Sequence, residues 1–186
     1  MNRERYIKIG KLTALVSFLI GTVIFGLYCL TSNTEQLFIG YGFILLAGLI
    51  NIIILTLVFA AAFKDSKNRK KLLLTSGLML LNMPVMFVYV FVALTLLGTM
   101  RITFTNATET TLTDINIVGC GGGHIGKLEI GRSKTVWVDI PGDCSISINY
   151  LLDGQQKEES VVGYVTNSMG QKMKHNIGGP NNNVNW

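Results

Sequence analysis

The chain is short of charge. Only 15% of its 186 residues are Asp, Glu, Lys or Arg, whereas a soluble globular protein carries about 25%. Hydrophobic residues make up 49%, and the mean hydropathy is +0.43. That balance excludes an ordinary soluble enzyme, a disordered chain and a soluble nucleic-acid binder. Histidine is scarcer still. His124 and His175 are the two in the chain, and they fall in positions that read as loop and strand, so no Ser-His-Asp set can be assembled. Gly121–Gly123 lacks a Gly-Lys-Ser/Thr ending and a following helix, which excludes a phosphate cradle. No motif names a reaction.

The charge that is present is concentrated. Residues 1–11 hold Arg3, Arg5, Lys8 and Lys11 against Glu4, and residues 64–71 (KDSKNRKK) hold five cations against Asp65. The 31–36 turn has only Glu35, and residues 101–186 balance seven cations with eight anions. Short loops rich in Lys and Arg stay cytoplasmic. The N-terminus and the 64–71 loop are therefore expected inside, and the 31–36 turn outside. An odd number of spans then places everything after Met100 outside. No aromatic platform interleaves with the cations, so their expected contact is anionic lipid headgroups, with no nucleic acid as partner.

Between the charged segments lie three long apolar runs, at about 12–30, 37–63 and 72–100. Each matches or exceeds the ~20 residues that cross a ~30 Å hydrocarbon core. The first is read as a retained anchor. It is long for a signal peptide, no Ala-x-Ala-like site follows it, and Tyr28 directly before Cys29 argues against lipoprotein cleavage. None of the runs contains Asp, Glu, Lys, Arg or His, which weighs against proton-coupled transport. Asn51 and Asn82 are expected to bond between helices, with a substrate or ion contact as the alternative. Gly21, Gly26, Gly40, Gly42, Ala47, Gly48 and Gly77 permit close helix approach, and self-association through the helices stays open. Pro84 removes a backbone donor and is expected to kink the third run.

From Arg101 the periodicity changes to alternation. Strands are expected at 101–106, 114–120, 127–130, 134–140, 145–152, 160–166 and 171–177, separated by Gly, Pro, Asn and Asp turns. Seven short strands at this spacing predict a small sandwich or barrel. The domain organisation is thus a three-helix anchor over 1–100, a β domain over 101–177 and a polar tail, GGPNNNVNW, over 178–186. Trp186 in the tail is a candidate anchor to membrane or partner.

Asn106 to Thr108, Ile125 to Val136 and Gly163 to Val165 together resemble the pattern of small Ig-like β-sandwich modules of bacterial envelope proteins. The resemblance covers the C-terminal domain alone. It implies a sandwich fold and an extracytoplasmic location, and it carries no catalytic residue over.

Cys120 and Cys144 would share an oxidising compartment in this arrangement, which makes them a disulfide candidate. The alternative is two separate buried thiols. Cys120 and His124, four residues apart on a Gly-rich loop, are a metal candidate, and soft ligands of this kind suit copper. The simpler reading of those glycines is a loop with positive φ. Asn106 also heads an N-glycosylation sequon. Glu158-Glu159 reads as a solvated strand face and His175 as half-buried in its strand.

The function expected is non-enzymatic and needs no cofactor. A multi-pass protein of the cytoplasmic (inner) membrane presents an extracytoplasmic β-sandwich to another envelope protein, as a subunit of an envelope or secretion complex or as an immunity-type protein. The alternatives are a transport or channel component and an extracytoplasmic metal-binding protein. The charge map sets a direct test. A reporter that fluoresces only in the cytoplasm, fused after Trp186, should stay dark; bright fluorescence would invert the topology.

Overall fold

The computed structural model of the protein describes residues 3–181. Residues 182–186, and the expectation placed on Trp186, lie outside the described residues. The chain divides into two compact units, Met1–Ala93 and Leu94–Trp186.

The first unit is helical, because a run of apolar side chains buries no backbone polar group unless each is bonded within the run. Helix α1 is Arg3–Thr31 and α2 is Thr34–Lys64. Two residues join them. Ser32 takes a positive φ of 55°, and Asn33 caps α2 by accepting from the Glu35 N–H at 2.8 Å. The third run forms α3, Arg69–Leu80, and α4, Asn82–Leu97. Taken with α3 and α4 as one span, three helices of 29, 31 and 29 residues are long and apolar enough to cross a membrane.

The break at Leu81 has a local cause. Proline lacks the N–H that would bond the carbonyl four residues earlier, and its ring crowds that carbonyl. For Pro84 the carbonyl is that of Leu80, where α3 ends. The interruption therefore falls three residues before the proline. The third span also stops short of the expected 72–100. Gly98 bonds back to the Leu94 carbonyl at 3.0 Å, and its own carbonyl accepts from Ile140 at 2.8 Å, so the chain leaves the helix there and enters a strand at Thr99.

Close packing in the first unit centres on Gly10. A Cβ there would lie 2.8 Å from Thr75 Cγ2, with Val58 and the Met79 sulfur at 3.2 and 3.3 Å. Around it Ala14, Val58, Ala62, Leu72 and Met79 are buried. The glycines expected to serve this purpose mostly do not. A Cβ at Gly26, Gly42, Gly48 or Gly77 would meet nothing within 4 Å.

The second unit contains seven strands: β1 Thr99–Asn106, β2 Leu112–Val118, β3 Gly123–Leu128, β4 Ser133–Asp139, β5 Cys144–Leu152, β6 Gln155–Val165 and β7 Lys172–Ile177. They form two sheets, ordered β4-β1-β7 and β3-β2-β5-β6. Strand β1 pairs antiparallel with β4 and parallel with β7, while the second sheet is antiparallel throughout. Alternation supplies the shared core. Met100, Ile102 and Phe104 of β1 meet Ile115, Ile117, Ile125, Ile146, Ile148 and Val162 of the other sheet.

Most strand ends fall within two residues of their expected places, and the two large shifts are at the starts of β3 and β6. Strand β3 begins at Gly123 rather than 127, because Gly123, His124 and Ile125 pair with Ile117, Asn116 and Ile115 and glycine gives no β signal. Strand β6 begins at Gln155 rather than 160. Asp153 and Gly154, both with positive φ, close a two-residue hairpin that pairs Leu152 with Gln155. The strand order also differs from an immunoglobulin constant domain, which groups the first, second, fourth and fifth strands in one sheet. The Ig-like resemblance extends to the two-layer build and not to this order.

Because β1 starts at Thr99 and Met100 is fully buried, the cut point matters for the isolated domain. A fragment beginning at Leu94 should fold alone and give a sheet-dominated far-UV spectrum. A fragment beginning at Arg101 loses the Met100 side chain from the core, and urea unfolding should show it about 2–5 kcal/mol less stable.

Candidate functional site

The Gly-rich turn after β2 is shaped by close backbone approach. A Cβ at Gly119, whose φ is +89°, would lie 1.9 Å from the Ser145 carbonyl oxygen, so only glycine fits. Gly121 donates to the Asp139 carbonyl at 2.8 Å, and a Cβ there would sit 3.0 Å from the Asp139 nitrogen. These contacts seat the turn against the start of β5 and the end of β4. They bring the Cα atoms of Cys120 and Cys144 to 5.3 Å, and the two sulfurs form a disulfide. The Cys120–His124 metal reading therefore loses its thiolate. His124 instead sets Nδ1 3.0 Å from Asn116 Oδ1 across the β2–β3 pair. Among the described residues no cluster of three His, Cys, Asp or Glu is placed to hold a metal.

A polar cluster that links the two sheets lies elsewhere, around Glu159 of β6. Its Oε1 accepts from the Tyr150 hydroxyl at 2.5 Å and from the Gly178 N–H at 2.9 Å. Its Oε2 stands 3.0 Å from His175 Nε2. His175 is 4% exposed and lies edge-on to Phe104 at 5.9 Å. Glu159 belongs to one sheet and His175 to the other, so the contact ties the sheets together where β6 and β7 end them. Glu158 is exposed as expected, but Glu159 is not a solvated face and His175 is buried rather than half-buried. Hydropathy could not separate two adjacent glutamates. The signal available was that β6 alternates, which must turn one of the pair inward.

Burial raises the Tyr150 hydroxyl well above its ordinary value of 10.0, and the Glu159 hydrogen bond and negative charge push it the same way. The cluster is a mutually satisfied structural lock. Its carboxylate is held by three neighbours, and its phenol stays protonated.

The sequon residue Asn106 is fully buried and is also spent. Its Nδ2 donates to the carbonyls of Thr110 at 2.8 Å and Leu128 at 2.9 Å, and its Oδ1 accepts from the Thr108 N–H and hydroxyl. In the folded domain it fixes the β1–β2 turn and offers no nitrogen for glycosylation.

In the helical unit, Asn51 Nδ2 donates to Ser17 Oγ at 2.7 Å and to the Ala47 carbonyl at 2.8 Å, while its Oδ1 is buried without a partner. Asn82 Nδ2 donates to the Ala14 carbonyl at 2.9 Å. Both asparagines thus bond between helices. Asp65, at the end of α2, gathers the N–H groups of Lys67 and Asn68, the Asn68 amide and the Arg3 guanidinium. The Asn68 amide above all, and Arg3 further down, hold its carboxyl below the usual 3.8 against the opposing effect of burial.

What the β domain leaves outward is an open edge. Strands β3 and β4 end their sheets on one side and are joined by the 129–132 turn. On the other side β6 has β5 as its sheet neighbour and β7 has β1. Tyr164 of β6 is 55% exposed, and Leu151 of β5 and Val118 of β2 are also exposed on this sheet.

The Tyr150 shift sets the sign of an alkaline effect. A group whose folded pKa is raised contributes stability that is complete below its ordinary value and fades as pH rises past it. The domain should therefore lose stability above about pH 10. Tyr150→Phe should flatten that dependence, read from urea midpoints across pH. An unchanged alkaline slope in the variant would refute this role.

No protein-family model matches the chain, and neither a curated protein nor a solved structure is detectably similar to it.

Proposed function

We propose that the protein is a membrane-anchored docking module. Three helices fix it in the cytoplasmic membrane with the N-terminus and the 64–71 loop inside, and the β domain faces the extracytoplasmic side to bind another envelope protein. The orientation is supported by nine cations on two segments that an odd span count places on one side. The extracytoplasmic side is supported by the Cys120–Cys144 disulfide, since such bonds persist in oxidising compartments.

The observation that carries the reading is the open edge at β6. An edge strand presents unpaired backbone groups to a partner strand. Along β6 the first half, Gln155–Glu158, is polar and charged, which discourages indiscriminate pairing. The second half, 160–165, offers Ser160, Gly163 and Tyr164 exposed, so a partner strand would meet little bulk and one aromatic anchor. The polar groups of this domain with catalytic side-chain types are instead engaged with one another, which favours docking over catalysis.

A photo-crosslinking amino acid at Ser160, expressed in native membranes, should give a discrete higher-mass adduct. The same group at Trp137, exposed on the opposite sheet, should give none. Tyr164→Asp should abolish the Ser160 adduct while changing domain stability by under ~0.5 kcal/mol. Equal adducts from both positions, or persistence in Tyr164→Asp, would sink the β6 docking edge.

A further inference from the structure

We propose that the outer face of the β4-β1-β7 sheet binds an anionic polysaccharide of the envelope through Trp137 and the cations beside it. This adds a second surface to the docking module and rests on that reading only for the side of the membrane the domain faces. Alternation sends one set of side chains from this sheet into the core and the other set outward. The outward set is in register across the three strands. Trp137, Arg101 and Lys172 form one row, and Thr135, Thr103 and Lys174 form the next. Ser133 opposite Thr105 continues the series.

The indole is held ready for stacking. The Arg101 guanidinium carbon lies over the ring, 5.7 Å from its centroid. Arg101 is 6% exposed, while Trp137 is 56% exposed. The cation therefore covers one side of the ring and the rest is open to a ligand. The rows beyond it are hydroxyls. Thr103 and Thr135 share a hydrogen bond of 2.8 Å, and so do Thr105 and Ser133. Each pair consumes one hydroxyl proton, so each keeps a second proton and lone pairs to offer.

This combination selects a class of ligand. A protein interface has an apolar centre depleted in lysine, whereas this face has one ring among hydroxyls and lysines. A lipid surface is entered by several apolar side chains and attracts cations next to the bilayer. Here the acid Asp139 stands opposite Thr99, in the row nearest the end of α4, and the cations lie beyond it. A sugar ring presents an apolar C–H face and a rim of hydroxyls that both donate and accept. The first matches the open indole and the second matches the Thr and Ser rows. Arg101, Lys172 and Lys174 against Asp139 make the complement an acidic sugar. Lys172 stands two strands from Trp137, about 10 Å away, so the acidic group belongs to a sugar beyond the stacked one. That favours an oligomer over a single sugar.

The test titrates the full chain, in phosphatidylcholine nanodiscs, with a fluorescein-labelled oligogalacturonate and reads anisotropy. The fully methyl-esterified oligomer, the same sugars without charge, is the comparator. Binding should saturate with the acid form and be about tenfold weaker with the ester. Trp137→Ala should weaken the acid form about tenfold, and Trp137→Phe should recover part of the loss. Lys172→Gln with Lys174→Gln should weaken it similarly with the indole in place, which keeps the test decisive if one variant misfolds. Tyr164→Asp, on the other sheet, should leave binding unchanged. Equal affinity for acid and ester, or no loss in either set of variants, would overturn the site. So would a probe displaced as well by polyglutamate or by glycerophosphoglycerol as by unlabelled oligogalacturonate, since the face would then take an acidic peptide or a lipid headgroup. The two surfaces fail separately. Lost Ser160 crosslinks with retained oligogalacturonate binding would sink the β6 edge alone, and the reverse result would sink this face alone.

Discussion

A run of apolar side chains offers its peptide groups no bonding partner but one another, and in the helical unit that constraint dictates almost everything else. It makes three apolar runs into long helices, and it also fixes where they may stop. At Asn33 a side-chain oxygen takes over the first orphan N–H of α2. At Asp65 a single carboxylate takes the N–H groups of Lys67 and Asn68 and an arginine from the start of α1. The third interruption, at Leu81, lies inside the third apolar run and has no such substitute. It follows from the missing donor of Pro84, and it separates a closely packed end of the unit from an open one.

The β domain meets a different constraint. A small domain buries too little surface to be secure on apolar packing alone. It adds two ties at different places. The Cys120–Cys144 bond joins the β2–β3 turn to the start of β5, within one sheet. The Glu159–His175 pair joins one sheet to the other by a side-chain contact between strands β6 and β7. The disulfide restricts the unfolded chain, whereas the carboxylate cluster acts in the folded state alone. Gly119 is the condition for the first tie, since any side chain there collides with the backbone of Ser145.

Much of this architecture was legible in the residues. Ile146, Ile148 and Tyr150 alternate with polar partners, and β5 sits where that alternation predicts. The charge-free runs are helical as their length and composition predict, the third broken into α3 and α4. What stayed hidden depended on neighbours distant in sequence. Glu159 and His175 are 16 residues apart and on different sheets, and nothing in Glu158-Glu159 says which faces inward. The first half of β6, QQKEE, has no apolar residue to mark an inward face, so its backbone pairing with β5 had no hydropathy signal. The importance of Gly10 was equally invisible, because a glycine's contacts are set by the helix it meets. Cys120 and Cys144 could be named as a pair, but whether their loops meet was decided by Gly119 and Gly121 against β5 and β4.

The same accounting bears on function. Asn51, Asn82, Asn106, Tyr150, Glu159 and His175 are the polar residues that first attract a search for chemistry, and each is engaged inside its own unit. A group held this way has few free electron pairs or protons to lend a substrate, and moving it would loosen the fold. What remains available is of another kind. In the helical unit it is apolar room left by Gly40 and Gly48. In the β domain it is the backbone of an edge strand beside an exposed aromatic ring.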